Sequence, residues 1–388
     1  MTESGKRGAP GGAGVRGGAR VLKVLRWLAF AACVLLFVHA LAKADLAAAW
    51  DRIHAIGPLA LVVVVPFPGA LAMDAWAWKG LLAALGRKVS WFQLFKVRIA
   101  TEAVTNSAPA GALWADAISP ILVSRRTGVP TEDVFAASTA KRWIVVRMHG
   151  TYVALCTAIG ASSVIQVSQK LTGGNSLLVI TFGAAFFLFA LSLGIEALVA
   201  RGKIAGRISA QLAKTRFVGV RTWIEIRRHH FARADAQLTR LSKNTRAQLS
   251  AAWRMFGLWL IEGLESYLIL RVLGAPLGVI EVLAFDAALS VVRSSAMFAP
   301  AGIGVQDVGY LTVLQAYGVP EAAAIGPAFV VLKRLKEAFW IAIGFVMLAR
   351  SGPRAVIKEV EAATEAEAEE VAAIVSHSAT QDPPSAST

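Results

Sequence analysis

The chain has 388 residues, of which 56% are hydrophobic and 17% charged, against about 25% charged in ordinary soluble domains, and its mean hydropathy is +0.58. That balance excludes a typical soluble enzyme and points to an all-α, polytopic integral membrane protein with about six spanning helices. The net charge of +15 would suit a nucleic-acid binder if the charges were spread over one folded surface. They fall instead in blocks between apolar stretches, so no nucleic-acid partner is expected.

In chain order, residues 1–20 form a basic, glycine-rich leader (Gly8 to Gly18) predicted to be disordered. Arg26 to Ala42 is the first apolar block. Ala40-Leu41-Ala42 has the look of a cleavage site, but the polar prefix and the further spans favour an uncleaved helix. Ile56 to Leu85 is the second block. Trp91 to Ser107 and Ala112 to Val123 are each too short to cross alone, with Pro109 and Gly111 between them. Spans are then predicted at Trp143 to Ile165, Ser176 to Ala200, Leu249 to Leu273 and Ala322 to Leu348, each long enough as helix for about 30 Å of hydrocarbon. Before the last of them, Val279 to Phe298 and Ile303 to Ala316 form a second short pair around Pro300, Gly302 and Gly304. The transmembrane domain is thus 21–350, and 351–388 is a tail: an acidic helix (Glu359 to Glu370), then a disordered end.

The basic residues choose an orientation. Six precede the first span, four follow the second, twelve lie in 201–246 and three follow the last, 25 in all; the opposite connections hold Lys43, Arg52, Lys170 and Arg271. Cytoplasmic loops carry this excess, so both termini are predicted to be cytoplasmic. In 201–246, Phe217, Val220, Trp223, Ile224 and Ile226 interleave with Lys and Arg, as in a helix lying on an anionic cytoplasmic leaflet. A solvated connector is the alternative.

An internal repeat is the most informative feature. Ala108-Pro109-Ala110-Gly111 followed by Asp116 recurs as Ala299-Pro300-Ala301-Gly302 followed by Asp307. Gly128-Val129-Pro130 recurs as Gly318-Val319-Pro320, and Lys141-Arg142 as Lys333-Arg334, at offsets of 191, 190 and 192 residues. Pro lacks an amide donor and Gly tolerates any turn, so each Pro-Gly motif breaks a helix. A segment that enters, breaks and returns keeps its bare backbone against protein or a wet cavity. Repeat halves of about 91–165 and 279–350 follow. With three spans between the hairpins, the second enters from the opposite side, an inverted repeat of the kind many secondary transporters use.

The stretch Thr101 to Gly111 with Arg142 downstream resembles the first signature of the lysylphosphatidylglycerol synthase transmembrane (flippase-like) family. Pro300-Ala301-Gly302-Ile303-Gly304-Val305-Gln306-Asp307 with Arg334 downstream resembles the second. Ala110 and Ala301 stand where a second glycine is usual, Leu113 where a glycine is usual, and Gln306-Asp307 where Arg-Glu is common. The resemblance implies a fold that moves amphipathic lipids between leaflets: phospholipids, glycolipids or hopanoid-type lipids in a bacterial inner membrane. Too few residues follow the last span for the soluble synthase domain of some members, so lipid aminoacylation is not expected.

Ionisable groups at membrane depth are functional candidates. Glu102, Asn106 and Asp116 surround the first break, and Asp286, Arg293 and Asp307 the second. Arg142 and Arg147 follow the first hairpin; Lys333, Arg334 and Glu337 follow the second; Glu262 and Glu265 share a helix face. Arg142, Arg293 and Arg334 suit a headgroup phosphate, with Glu102, Asn106, Asp116 and Asp307 holding them or meeting a cationic headgroup. The alternative is a set of structural ion pairs. Asp74, Lys79 and Glu196 read as structural or snorkelling groups, and His149 as a satisfied bundle histidine. No catalytic residue, metal site or cofactor is predicted, and no phosphate-loop motif for ATP hydrolysis occurs. The leading reading is a lipid flippase. Its rivals are an accessory subunit that docks a lipid-biosynthesis enzyme and a membrane-embedded lipid-modifying enzyme.

Overall fold

The computed structural model describes residues 46–107, 111–202, 228–295 and 305–350. The first predicted span, the two leaders' worth of terminal sequence (1–20 and 351–388), most of the basic segment, and Pro109, Pro300, Gly302 and Gly304 lie outside the described residues. Among those described, every regular element is helical.

Helix α1 (Leu46–Ile56) leads through a 3₁₀ stretch (Gly57–Val64) into α2 (Pro66–Ala84). Pro66 sits at the first turn of α2, where a missing amide donor is tolerated. The first short pair is α3 (Trp91–Ser107) and α4 (Gly111–Thr127), packed on each other; α5 (Thr131–Ile159) follows. After α6 (Ala161–Thr172), α7 (Ser176–Ala200) and the basic α8 (Arg228–Lys243) comes α9 (Thr245–Val272). The second short pair is α10 (Val279–Ser295) and α11 (Val305–Tyr317), and α12 (Ala322–Ala349) closes the described chain.

The stretch Ala47–Ala84 and helix α7 are long and apolar enough to cross a membrane, and the bent pair α5–α6 is a third candidate. Phe186 of α7 is 75% exposed and Val179 69%, a surface suited to acyl chains rather than water. Helices α5, α9 and α12 have the length of a span but carry charges whose partners lie inside the bundle.

One predicted boundary is corrected. The span expected at Trp143 to Ile165 is helical from Thr131, ends at Ile159 and turns by 85° into α6. Gly160 makes the turn possible, because a Cβ there would overlap the side chain of Ala284. Helix α6 then lies across the second hairpin, and Lys170 Nζ donates to Ala316 O at the end of α11 (2.7 Å).

Two apolar clusters establish that the repeat is inverted. One gathers Leu85 at the end of α2, Leu122 and Val123 near the end of α4, Val134 at the start of α5, and Ala251 and Met255 of α9. The other gathers Leu270 and Leu273 at the end of α9, Leu314 near the end of α11 and Ile325 at the start of α12. The base of each hairpin, with the start of the helix after it, forms the core of its own end of the bundle. Leu348, at the end of α12, packs on the first cluster, so α5 and α12 run in opposite directions. Helix partners exchange in the same way: α3 packs on α12, α10 on α5, and α2 on α9. Gly128 and Gly318, both with φ near +70°, start the equivalent turns into α5 and α12.

Candidate functional site

Arg142 lies eleven residues into α5 and Arg334 twelve into α12, about 17–18 Å along helices some 43 Å long at 1.5 Å per residue. Both therefore stand near the middle of their helices. Each meets the aspartate of its own hairpin. Arg142 pairs with Asp116 of α4, and Arg334 Nη2 reaches both oxygens of Asp307 of α11 at 2.7 and 2.8 Å. The 191-residue repeat in sequence is thus a repeated ion pair in space.

The surroundings of the two pairs differ. The Arg142 and Asp116 side chains are 50% and 49% exposed, whereas those of Arg334 and Asp307 are 18% and 2% exposed. Arg334 also donates through Nη1 to Glu337 at 2.6 Å; the residue in that register after the first hairpin is Val145.

Behind the open pair lies a buried chain of charges. Asp74 Oδ1 accepts from Lys141 Nζ at 2.5 Å and faces Arg98 Nε at 3.1 Å. Arg98 reaches Glu102 at 2.9 Å, and Asn106 Nδ2 donates to the other Glu102 oxygen at 3.2 Å. For Asp74 the sequence reading is a structural or snorkelling group. The fold makes it the buried junction of α2, α3 and α5. Its counterpart 191 residues on is Glu265, buried on α9 and bound to Lys336 Nζ at 2.5 Å. The sequence reading missed Arg98 and Lys336; the repeat could not have pointed to them, because Leu289 and Ile144 stand in the equivalent registers.

Glu102 of the first hairpin corresponds to Arg293 of the second, with the charge exchanged. Arg293 finds Glu262 of α9 at 2.7 Å. Asp286 accepts from Ser266 and from Tyr310, both at 2.7 Å, and Lys333 Nζ donates to the Tyr310 oxygen at 2.8 Å. Three groups tie helices together away from the hairpin pairs. Arg147 binds Glu196 across α5 and α7. His149 stacks on Trp259 with its Nε2 2.7 Å from Ser290 Oγ, a satisfied bundle histidine. Buried Asp133, at the start of α5, receives Arg87 at 2.6 Å and faces Arg233 of α8 at 3.7 Å.

Gly111 opens α4 where no side chain fits: a Cβ would run into the carbonyl oxygens of Val104 and Thr105 at the end of α3.

A family model described as the lysylphosphatidylglycerol synthase TM region matches residues 23–361. No curated protein and no solved structure matches the chain.

Proposed function

Because the chain belongs to the lysylphosphatidylglycerol synthase transmembrane family, whose membrane region is the non-catalytic part and is associated with lipid-related functions, we propose that it moves an amphipathic lipid between leaflets without hydrolysing ATP. The observation that carries this reading is the pair of equivalent Asp–Arg contacts near the middle of α5 and α12, one half-exposed and one closed; with both helices crossing the bilayer, that is mid-membrane depth. A charged pair left open among acyl chains is costly, so an open pair at that depth implies a polar cavity. Two inverted half-sites differing in closure are what an alternating-access cycle requires.

In this reading Arg142 and Arg334 take turns meeting the headgroup, and Asp116 and Asp307 hold each guanidinium in place when it is idle. Arg suits a phosphate because its planar fork can make two parallel hydrogen bonds. Helix α8 rests on the anionic inner leaflet of a bacterial plasma membrane, with the termini on that side.

The test is translocation of acyl-labelled phospholipids and a glycolipid in proteoliposomes, wild type beside the double variant Arg142→Gln, Arg334→Gln. Lipid movement above protein-free vesicles that the double variant loses is the expected result. Equal movement in both proteins would remove the site, and none with any lipid would remove the function.

A further inference from the structure

Within that translocation reading, on which this inference rests, the charges around the open pair select a kind of headgroup. The first half-site contains three cations, Arg98, Lys141 and Arg142, and three carboxylates, Asp74, Glu102 and Asp116. They form one connected set. Asp74 is shared by Arg98 and Lys141, Arg98 also holds Glu102, and Arg142 follows Lys141 directly in the chain. The formal charge of the set is zero. Arg98, Lys141, Asp74 and Glu102 are largely buried, so the accessible edge consists of one guanidinium beside one carboxylate, Arg142 and Asp116.

We infer that the Arg142–Asp116 edge recognises a zwitterionic phospholipid headgroup, with Arg142 taking the phosphate and Asp116 the ammonium. Such a headgroup opens one ion pair and forms two, and the half-site remains neutral. A purely anionic headgroup takes Arg142 away from Asp116, leaves that carboxylate facing the incoming charge, and brings the half-site to −1. A purely cationic one leaves Arg142 in the mirror-image position. An uncompensated charge at membrane depth is disfavoured, so the discrimination arises from the repulsion met by the wrong headgroup as well as from attraction to the right one. The set behind the edge keeps it so. Asp74 and Glu102 already neutralise Lys141 and Arg98, so among the described residues of this set no buried cation is spare to welcome an extra anion.

The experiment compares phosphatidylethanolamine with phosphatidylglycerol, each labelled on an acyl chain so that the headgroup is intact, in proteoliposomes of wild type and Asp116→Asn. The wild type is expected to move the zwitterionic lipid at least about tenfold faster, the size of effect that like-charge juxtaposition gives at an interface. In Asp116→Asn the accessible edge keeps its guanidinium and loses its carboxylate, so the ratio falls to about one or reverses. Because each ratio is taken on one preparation, loss of folded protein scales both rates and leaves the ratio alone. Equal rates for the two lipids in the wild type, or a ratio that Asp116→Asn does not move, overturn the headgroup assignment while translocation stands. No movement of either lipid overturns the assignment, and translocation falls with it only if the glycolipid is not moved either.

Discussion

The two halves of the bundle hold the same aspartate–arginine contact and treat it differently. In the first half the pair is half-exposed and Arg142 has one carboxylate; in the second the pair is enclosed and Arg334 is shared between Asp307 and Glu337. The backbone repeat sets where the arginine stands, and the local side chains decide whether it is available. An idle arginine at membrane depth needs a carboxylate. A working one needs a carboxylate that it can leave, which a single half-exposed partner allows and a doubly held guanidinium resists.

This contrast separates stability from transport. The largest effect is expected at the buried counterparts of the open site. Glu265→Ala leaves Lys336 charged and enclosed, and should lower stability by about 3–5 kcal/mol; thermal unfolding in detergent reads this out. Arg334→Gln should fall in a similar range of about 3–5 kcal/mol, since Asp307 and Glu337 lose the guanidinium they share.

A smaller effect is expected where the halves touch. A Cβ on Gly344 of α12 would lie 2.6 Å from Ile99 O and 2.7 Å from the Ala103 side chain of α3. Gly344→Val should therefore push the first hairpin away from α12 and destabilise by about 1–3 kcal/mol. Unchanged unfolding would mean that the contact between the halves is looser than it stands here. The smallest effect belongs to the open pair: Arg142→Gln should change stability by no more than about 1 kcal/mol, as half-exposed ion pairs contribute little. A loss as large as that of Arg334→Gln would erase the distinction between the halves.

The hairpins were legible in the sequence because Pro-Gly breaks are local: α3 begins and ends where the pattern sets it, and Gly-Val-Pro does mark the turns into α5 and α12. The start of α5 was not. Lys141, Arg142 and Arg147 dilute the apolarity of its first half, so an apolar span begins at Trp143 although the helix begins at Thr131. Their partners Asp74, Asp116 and Glu196 come from other helices, and only packing reveals that the dilution is neutralised. The bend at Gly160 depends on Ala284, more than a hundred residues away. Asp74 illustrates the same limit. Nothing within a helical turn of it explains a buried carboxylate, and its two cations arrive from α3 and α5.

The central claim is that two half-sites of unequal exposure serve one transport cycle, and transport by the single variants tests it most directly. Arg142→Gln and Arg334→Gln, reconstituted separately at matched amounts of folded protein, should each abolish lipid movement, although one arginine is open and the other closed. Wild-type movement in Arg334→Gln, with loss confined to Arg142→Gln, would make the second pair a structural bridge and contradict the account.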